Sequence, residues 1–237
     1  METRSKVVFV AGGTGGLGRA VSLAFLEIGA RVAVTYRDEV ELQELRKTAD
    51  RSATNLSAFA VDVTDEEAVQ NAVQKLIEQQ GRLDVLVNTV GAYAGGINAW
   101  ELDSKTFERM LSLNLRSGFV LTKAVVPEML RQKSGSIVNV AAKAAFDHAA
   151  GASAYAASKA AAVAFMDSLS ADLKGSGVRV NTILPSIIDT AANRKFMPKA
   201  DFSLWPKPEQ IAKVIHFLSS DDASVVHGAA IPVYGDS

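Results

Sequence analysis

A phenol and an ammonium stand four residues apart in Tyr155-Ala156-Ala157-Ser158-Lys159. On a helix that spacing puts both side chains on one face, within reach of the same ligand. A tyrosine alone holds its proton to a pH of about 10, but a neighbouring cation stabilises the phenolate and makes the group a usable acid or base near neutrality. The same spacing arises by chance in many helices, so its weight depends on what surrounds it.

A second signal lies near the start, in Ala11-Gly12-Gly13-Thr14-Gly15-Gly16-Leu17-Gly18, between an apolar run and a helical pattern from Arg19. Glycines there permit a tight turn and let backbone N–H groups approach a pyrophosphate at a helix N-terminus. The plainer reading is a flexible strand-to-helix turn; a strand before, a helix after and a second strand next favour the ligand. That second strand ends in Val34-Thr35-Tyr36-Arg37, with Tyr36 where a ribose-binding carboxylate commonly stands. Arg37 follows, and a guanidinium forks onto a 2′-phosphate, so NADP(H) is the expected cofactor and NAD(H) the alternative. The competing, less favoured reading is that Arg37 is a solvated loop charge beside Asp38.

Composition narrows the classes. A net charge of −1 with scattered Lys and Arg gives no footprint for nucleic acid or anionic lipid. Cysteine is absent, which removes thiol nucleophiles and thiolate metal sites, and His148, His216 and His227 form no short-range ligand pair, so no metal is expected. The apolar run after Met1-Glu2-Thr3-Arg4-Ser5-Lys6 is too short for a signal peptide or a membrane span, and a cytoplasmic protein without membrane partners is expected.

The elements that must position these groups follow a β–α rhythm without linkers. Strands are expected at 6–11, 31–36, 56–61, 83–88, 136–141, 178–183 and 230–234, as continuous apolar runs suited to burial on both faces. Helices fill the gaps, among them 65–80, with Thr64 and Glu67 in capping-box order, and the Ala-rich 153–173. The expected fold class is α/β, a single doubly wound, mainly parallel, seven-stranded Rossmann-type sheet spanning residues 1–237, with its ligand crevice at the carboxyl ends of the strands.

The glycine spacing at 12, 16 and 18 and the Tyr155/Lys159 pair after a fifth strand resemble the short-chain dehydrogenase/reductase family over essentially the whole chain. The resemblance implies hydride transfer between a nicotinamide cofactor and a small molecule. It makes Tyr155 the proton donor, Lys159 its tuner and a nicotinamide-ribose ligand, and Asn114, in Leu113-Asn114-Leu115, a helix-kinking member of the proton relay. By the same resemblance Gly12, Thr14, Gly16, Leu17 and Gly18 hold the pyrophosphate end. Asp62 and Val63 contact adenine, and Asn88 and Gly91 match a relaxed Asn-Asn-Ala-Gly motif. Pro185, Ile188 and Thr190 cover the nicotinamide and phosphates. Gly15 stands where many NADP-using members carry a second basic residue. Homodimers or homotetramers packed through 114–132 and 153–173 are expected.

One position breaks the pattern. Members usually carry a serine thirteen residues before the tyrosine, and here that position is Ala142, in Ala141-Ala142-Lys143-Ala144-Ala145-Phe146-Asp147. A degraded enzyme, a substrate that does not need the hydroxyl, and replacement by Lys143 or Ser153 all fit. Gly91-Ala92-Tyr93-Ala94-Gly95-Gly96, the 141–147 stretch and residues 189–205 resemble quinoid dihydropteridine reductase, a branch without that serine. In that case the acceptor is a C=O or C=N compound such as a quinonoid dihydropterin, whose conjugated ring spreads developing charge and loses less from a missing donor. Ala142 and Lys143 then border the substrate, Tyr93 or Trp205 stacks on it, and residues 191–206 form a lid. Retained Asn88 and Asn114, and the missing acid at the second strand's end, separate the chain from that branch. The rival class is a non-catalytic NADP(H)-binding regulator or scaffold.

Overall fold

Alternating side chains send each central strand into two cores. The computed structural model describes residues 5–237. In β1 (Val7–Ala11), Val8 and Val10 pack on one face of the sheet while Val7, Phe9 and Ala11 pack on the other. A strand buried on both faces favours apolar residues at successive positions, which is why β1 reads as an unbroken run rather than an alternating one.

The chain continues through α1 (Gly16–Glu27), β2 (Arg31–Tyr36), α2 (Glu39–Ala49), β3 (Leu56–Ala60), α3 (Glu66–Gln80) and β4 (Val85–Asn88). Then come α4 (Ser104–Leu111), a π-turn (Ser112–Arg116), α5 (Ser117–Gln132), β5 (Gly135–Val140), α6 (Ser153–Asp172) and β6 (Val178–Pro185). The last elements are α7 (Ala191–Phe196), α8 (Pro208–Ser219) and β7 (Ala230–Val233). The seven strands pair in the order β3-β2-β1-β4-β5-β6-β7, parallel throughout, as the sequence led us to expect. Helices α1, α2 and α8 close one face with Leu26, Leu42 and Ile215; α3, α5 and α6 close the other with Val73, Leu121 and Met166. The order reverses between β1 and β4, and there the strand ends splay into a crevice.

Several boundaries move for local reasons. The fourth strand starts at Val85, and Asp84 just before it accepts from the Val7 N–H and from Arg82. The sixth runs on to Pro185, paired with Val233. Helix α3 is capped by Asp65, whose carboxylate accepts from the Ala68 N–H at 3.1 Å, not by Thr64, whose hydroxyl instead donates to Asp62 at 2.8 Å. The helix expected at 114–132 instead starts within a π-turn that has Asn114 at its centre.

Candidate active site

The glycine loop closes on itself through contacts that leave no space for a side chain. A Cβ on Gly18 would lie 2.0 Å from the Gly12 carbonyl oxygen, and one on Gly16 would lie 2.9 Å from the Thr190 side chain. Gly12 has φ +72°, the left-handed region that glycine adopts without strain. Thr190, which caps α7, therefore rests on the start of α1, and the segment after β6 is brought onto the loop after β1. Beside this cradle a cavity of about 260 Å³ is bounded by Gly12, Thr14, Arg37, Asp62, Val63 and Gly91 among others. The Asp62 carboxyl is held below the usual carboxylate range by hydrogen bonds from the Thr64 N–H (2.9 Å) and hydroxyl (2.8 Å), with Arg37 contributing. The donor geometry and the cradle fit a dinucleotide, with its pyrophosphate over the N-terminus of α1.

The second cluster lies where β4, the π-turn and α6 meet. The buried Asn114 accepts from the Ala92 N–H at 2.9 Å and donates to the Ala92 carbonyl at 3.0 Å and to Ser158 Oγ at 2.9 Å. Ser158 sits beside Lys159 on α6, so one amide ties the loop after β4 to the helix that carries Tyr155 and Lys159. Lys159 is 5% exposed and its Nζ donates to the Val140 carbonyl at 3.0 Å. Gly91 lies between the two: a Cβ there would meet Asn114 Oδ1 at 2.9 Å and Lys159 Nζ at 3.1 Å. Burial pulls the Lys159 ammonium down to about 8. Burial also pushes the Tyr155 phenol up to about 12, and the nearby Tyr93 adds to it. The expected depression of Tyr155 by Lys159 is thus not realised, since the ammonium is turned onto Val140; near neutral pH the phenol is protonated, the form in which a tyrosine can act as an acid.

A profile of the short chain dehydrogenase family matches residues 6–201. The chain belongs to that family. It is 32% identical to a 3-oxoacyl-[acyl-carrier-protein] reductase of Thermotoga maritima, over 99% of this chain and 98% of the relative. Among solved structures, ElxO with NADP bound superposes with a TM-score of 0.91 at 26% identity, covering 98% of each chain. An NAD+-bound xylitol dehydrogenase superposes equally, at 0.91 and 25% identity, covering 99% of this chain and all of that one.

Within this short chain dehydrogenase, several residues singled out from the sequence stand elsewhere than expected. Asn88 is buried in the sheet, its Nδ2 donating to Asn139 Oδ1 at 2.9 Å and its Oδ1 accepting from the Val90 N–H; the side chain shapes the loop to Gly91 and offers a ligand nothing. Leu17 is buried in the core, so only its backbone faces the cradle. Trp205 is 6% exposed and packs on Phe202, with centroids 5.0 Å apart, instead of offering a stacking face. Lys143 does not stand in for the absent serine: its Nζ lies over the Tyr234 ring and within 3.8 Å of Asp147, on the side toward the last strand. Ala142 is buried in extended backbone at the end of β5, and Ser153 is exposed at the first position of α6. Pro185 ends β6, and the Ile188 carbonyl accepts from Thr190 N and Asn193 Nδ2, both at 2.8 Å.

The structure also supplies residues that sequence reasoning passed over. Thr89 donates to the Ala11 carbonyl at 2.7 Å and clamps β4 to β1 at the crevice; it stands at the second position of the relaxed Asn-Asn-Ala-Gly motif, which was its signal. Ser158 was visible inside the Tyr155–Lys159 motif but had no assigned partner. Phe196 was visible only as part of the 191–206 segment, with no partner of its own assigned. Its ring is 68% exposed and meets Tyr93 edge-on at 6.0 Å.

Proposed function

We propose that the chain is an NADP(H)-dependent reductase, able also to use NAD(H), that reduces a C=O or C=N group in a small conjugated acceptor. The observation that carries this is the convergence of Asn114 and Lys159 on Gly91, one helical turn from Tyr155 and adjoining the glycine cradle. A bound nicotinamide supplies the hydride; all else falls to the protein.

In this reading Gly12, Gly16, Gly18 and the backbone of Leu17 seat the pyrophosphate, Asp62 and Val63 border the adenine, and Arg37 meets a 2′-phosphate. Pro185, the Ile188 backbone and Thr190 hold the nicotinamide end. Tyr155 donates the proton to the acceptor heteroatom as hydride arrives at the carbon, and Lys159, held on the Val140 carbonyl, serves as the ligand of the nicotinamide ribose. Asn114 keeps the loop after β4 and helix α6 in register and orders the path by which Tyr155 is reprotonated.

A quinonoid dihydropterin or another flat, electron-poor ring is the favoured acceptor class. Ala142 offers no hydrogen bond, so charge developing on the acceptor is better spread through conjugation. Tyr93, 54% exposed, lies edge-on to Tyr155 with Phe196 beyond it, which supplies two aromatic rings where a flat ligand docks. Residues 191–206 act as the lid. Homo-oligomers are proposed to form on the α5–α6 face, where Phe119 and Phe165 pack edge-on at 6.1 Å.

The test is oxidation of NADPH and of NADH against ketones, quinones and a quinonoid dihydropterin, with Tyr155→Phe as control. Selective turnover of the conjugated acceptors that is lost in Tyr155→Phe supports the reading. Dinucleotide binding with no turnover on any acceptor overturns it in favour of a non-catalytic binding protein, the reading that Ala142 motivates.

A further inference from the structure

The Thr14 hydroxyl, inside the glycine loop, donates to Glu41 Oε2 at 2.9 Å. Glu41 lies in the first turn of α2, five residues beyond the end of β2, and this bond pins its carboxylate at the rim of the cavity that Thr14, Arg37 and Asp62 also line. Among the described residues Glu41 Oε1 has no hydrogen-bond partner. The other two carboxylates lining that cavity are held by their own turns: Asp38 accepts from the Val40 N–H at 2.8 Å, and Asp62 from Thr64. Arg37 is the one cation of the lining.

A carboxylate only accepts hydrogen bonds. An adenosine ribose with free hydroxyls offers donors to it, whereas a 2′-phosphate brings like charge against it while being drawn to the guanidinium. Acidic residues that read a ribose 2′-hydroxyl usually stand at the end of the second strand; here Tyr36 occupies that place and the fold delivers a carboxylate from the next helix instead.

We propose that Glu41 sets the dinucleotide preference: it accepts from the adenosine ribose of NAD(H) and opposes the 2′-phosphate of NADP(H), so that Arg37 prevails only narrowly and both cofactors bind. This rests on the reading that the glycine cradle holds a dinucleotide. Thr14 is then the positioning residue that aims Glu41.

Equilibrium titration calorimetry of the cofactor-free protein tests it, with NADPH, NADH, adenosine 2′,5′-bisphosphate and 5′-AMP as the probes. Glu41→Gln keeps the side-chain shape and the Thr14 contact but removes the charge. The ratio of the NADH Kd to the NADPH Kd should rise about tenfold, with the same direction for the two adenosine fragments and a smaller rise in high salt. Arg37→Gln should move the ratio the opposite way. A Glu41→Gln ratio within about twofold of the wild type, in protein that melts at the wild-type temperature, overturns the role of Glu41 alone. Failure of the wild type to bind either dinucleotide overturns it together with the proposed function.

Discussion

The Tyr93 ring stands edge-on to the Tyr155 ring, centroids 4.9 Å apart and planes at 77°, so the loop after β4 covers the phenol that α6 presents. Burial, with Tyr93 adding to it, raises the proton affinity of Tyr155, and an exposed aromatic stands next to it close to the end of β5, where Ala142 lies. In the proposed function, the acceptor meets a ring above Tyr155 rather than a second hydroxyl.

Replacing Tyr155 with Phe removes the proton donor and nothing else of the cradle. Turnover should fall by about 10²- to 10⁴-fold, while the Kd for NADPH measured by fluorescence titration stays at the wild-type value. Unchanged turnover would remove Tyr155 from the mechanism.

Restoring the hydroxyl with Ala142→Ser should discriminate between acceptors. One added hydrogen bond contributes roughly 0.5–1.5 kcal/mol, or about two- to tenfold in rate on a simple aliphatic ketone. A conjugated acceptor should gain less. Steady-state kcat/KM values on one acceptor of each kind check this, and an equal gain on both would argue against charge delocalisation as the reason for the missing serine.

The aromatic pair should act in binding. Tyr93→Ala and Phe196→Ala are each expected to weaken flat acceptors by about 0.5–1.5 kcal/mol, seen as a raised KM, while leaving KM for small aliphatic ketones in place. Tyr93→Phe should keep the wild-type KM, since the ring rather than its hydroxyl makes the contact.

Gly91 offers a test of geometry alone. A methyl group there must push on Asn114 Oδ1 and Lys159 Nζ, both near 3 Å from its Cβ position. A displacement of about 1 Å at a reacting centre costs on the order of 10²-fold in rate. Gly91→Ala should therefore lose turnover while its circular dichroism spectrum matches the wild type.

The pH dependence follows from Lys159. Its ammonium ordinarily titrates at 10.5 and is pulled down to about 8 by burial. Between those values the unfolded chain keeps a proton that the folded one has released, so stability rises with pH across that window and the burial penalty is fully present below it. Lys159→Met should then stabilise the cofactor-free protein at pH 7 by about 1–3 kcal/mol, an advantage that fades toward pH 10.5 in urea melts. The wild-type rate of acceptor reduction should in turn fall as pH rises above about 8, because the ammonium proposed to bind the nicotinamide ribose loses its charge and one of its donors.

The sequence by itself determined what depends on periodicity and short spacing. The unbroken apolar run 7–11 specifies a strand buried on both faces. The glycines at 12, 16 and 18 mark a turn where no side chain fits, and Tyr155 and Lys159 fall on one helical face because they are four residues apart. Tertiary structure alone decided which side chains reach the crevice, because burial and contact join residues distant along the chain. Trp205 and Asn88 turned inward, Lys143 turned away toward the last strand, and Phe196 came to rest on Tyr93, 103 residues earlier. Packing also reversed the expected acidity of Tyr155, since the ammonium meant to lower it is bound by the Val140 carbonyl instead. It set the Glu41 carboxylate against Thr14, a pairing no local pattern encodes, because only the close approach of α2 to the glycine loop brings the two together.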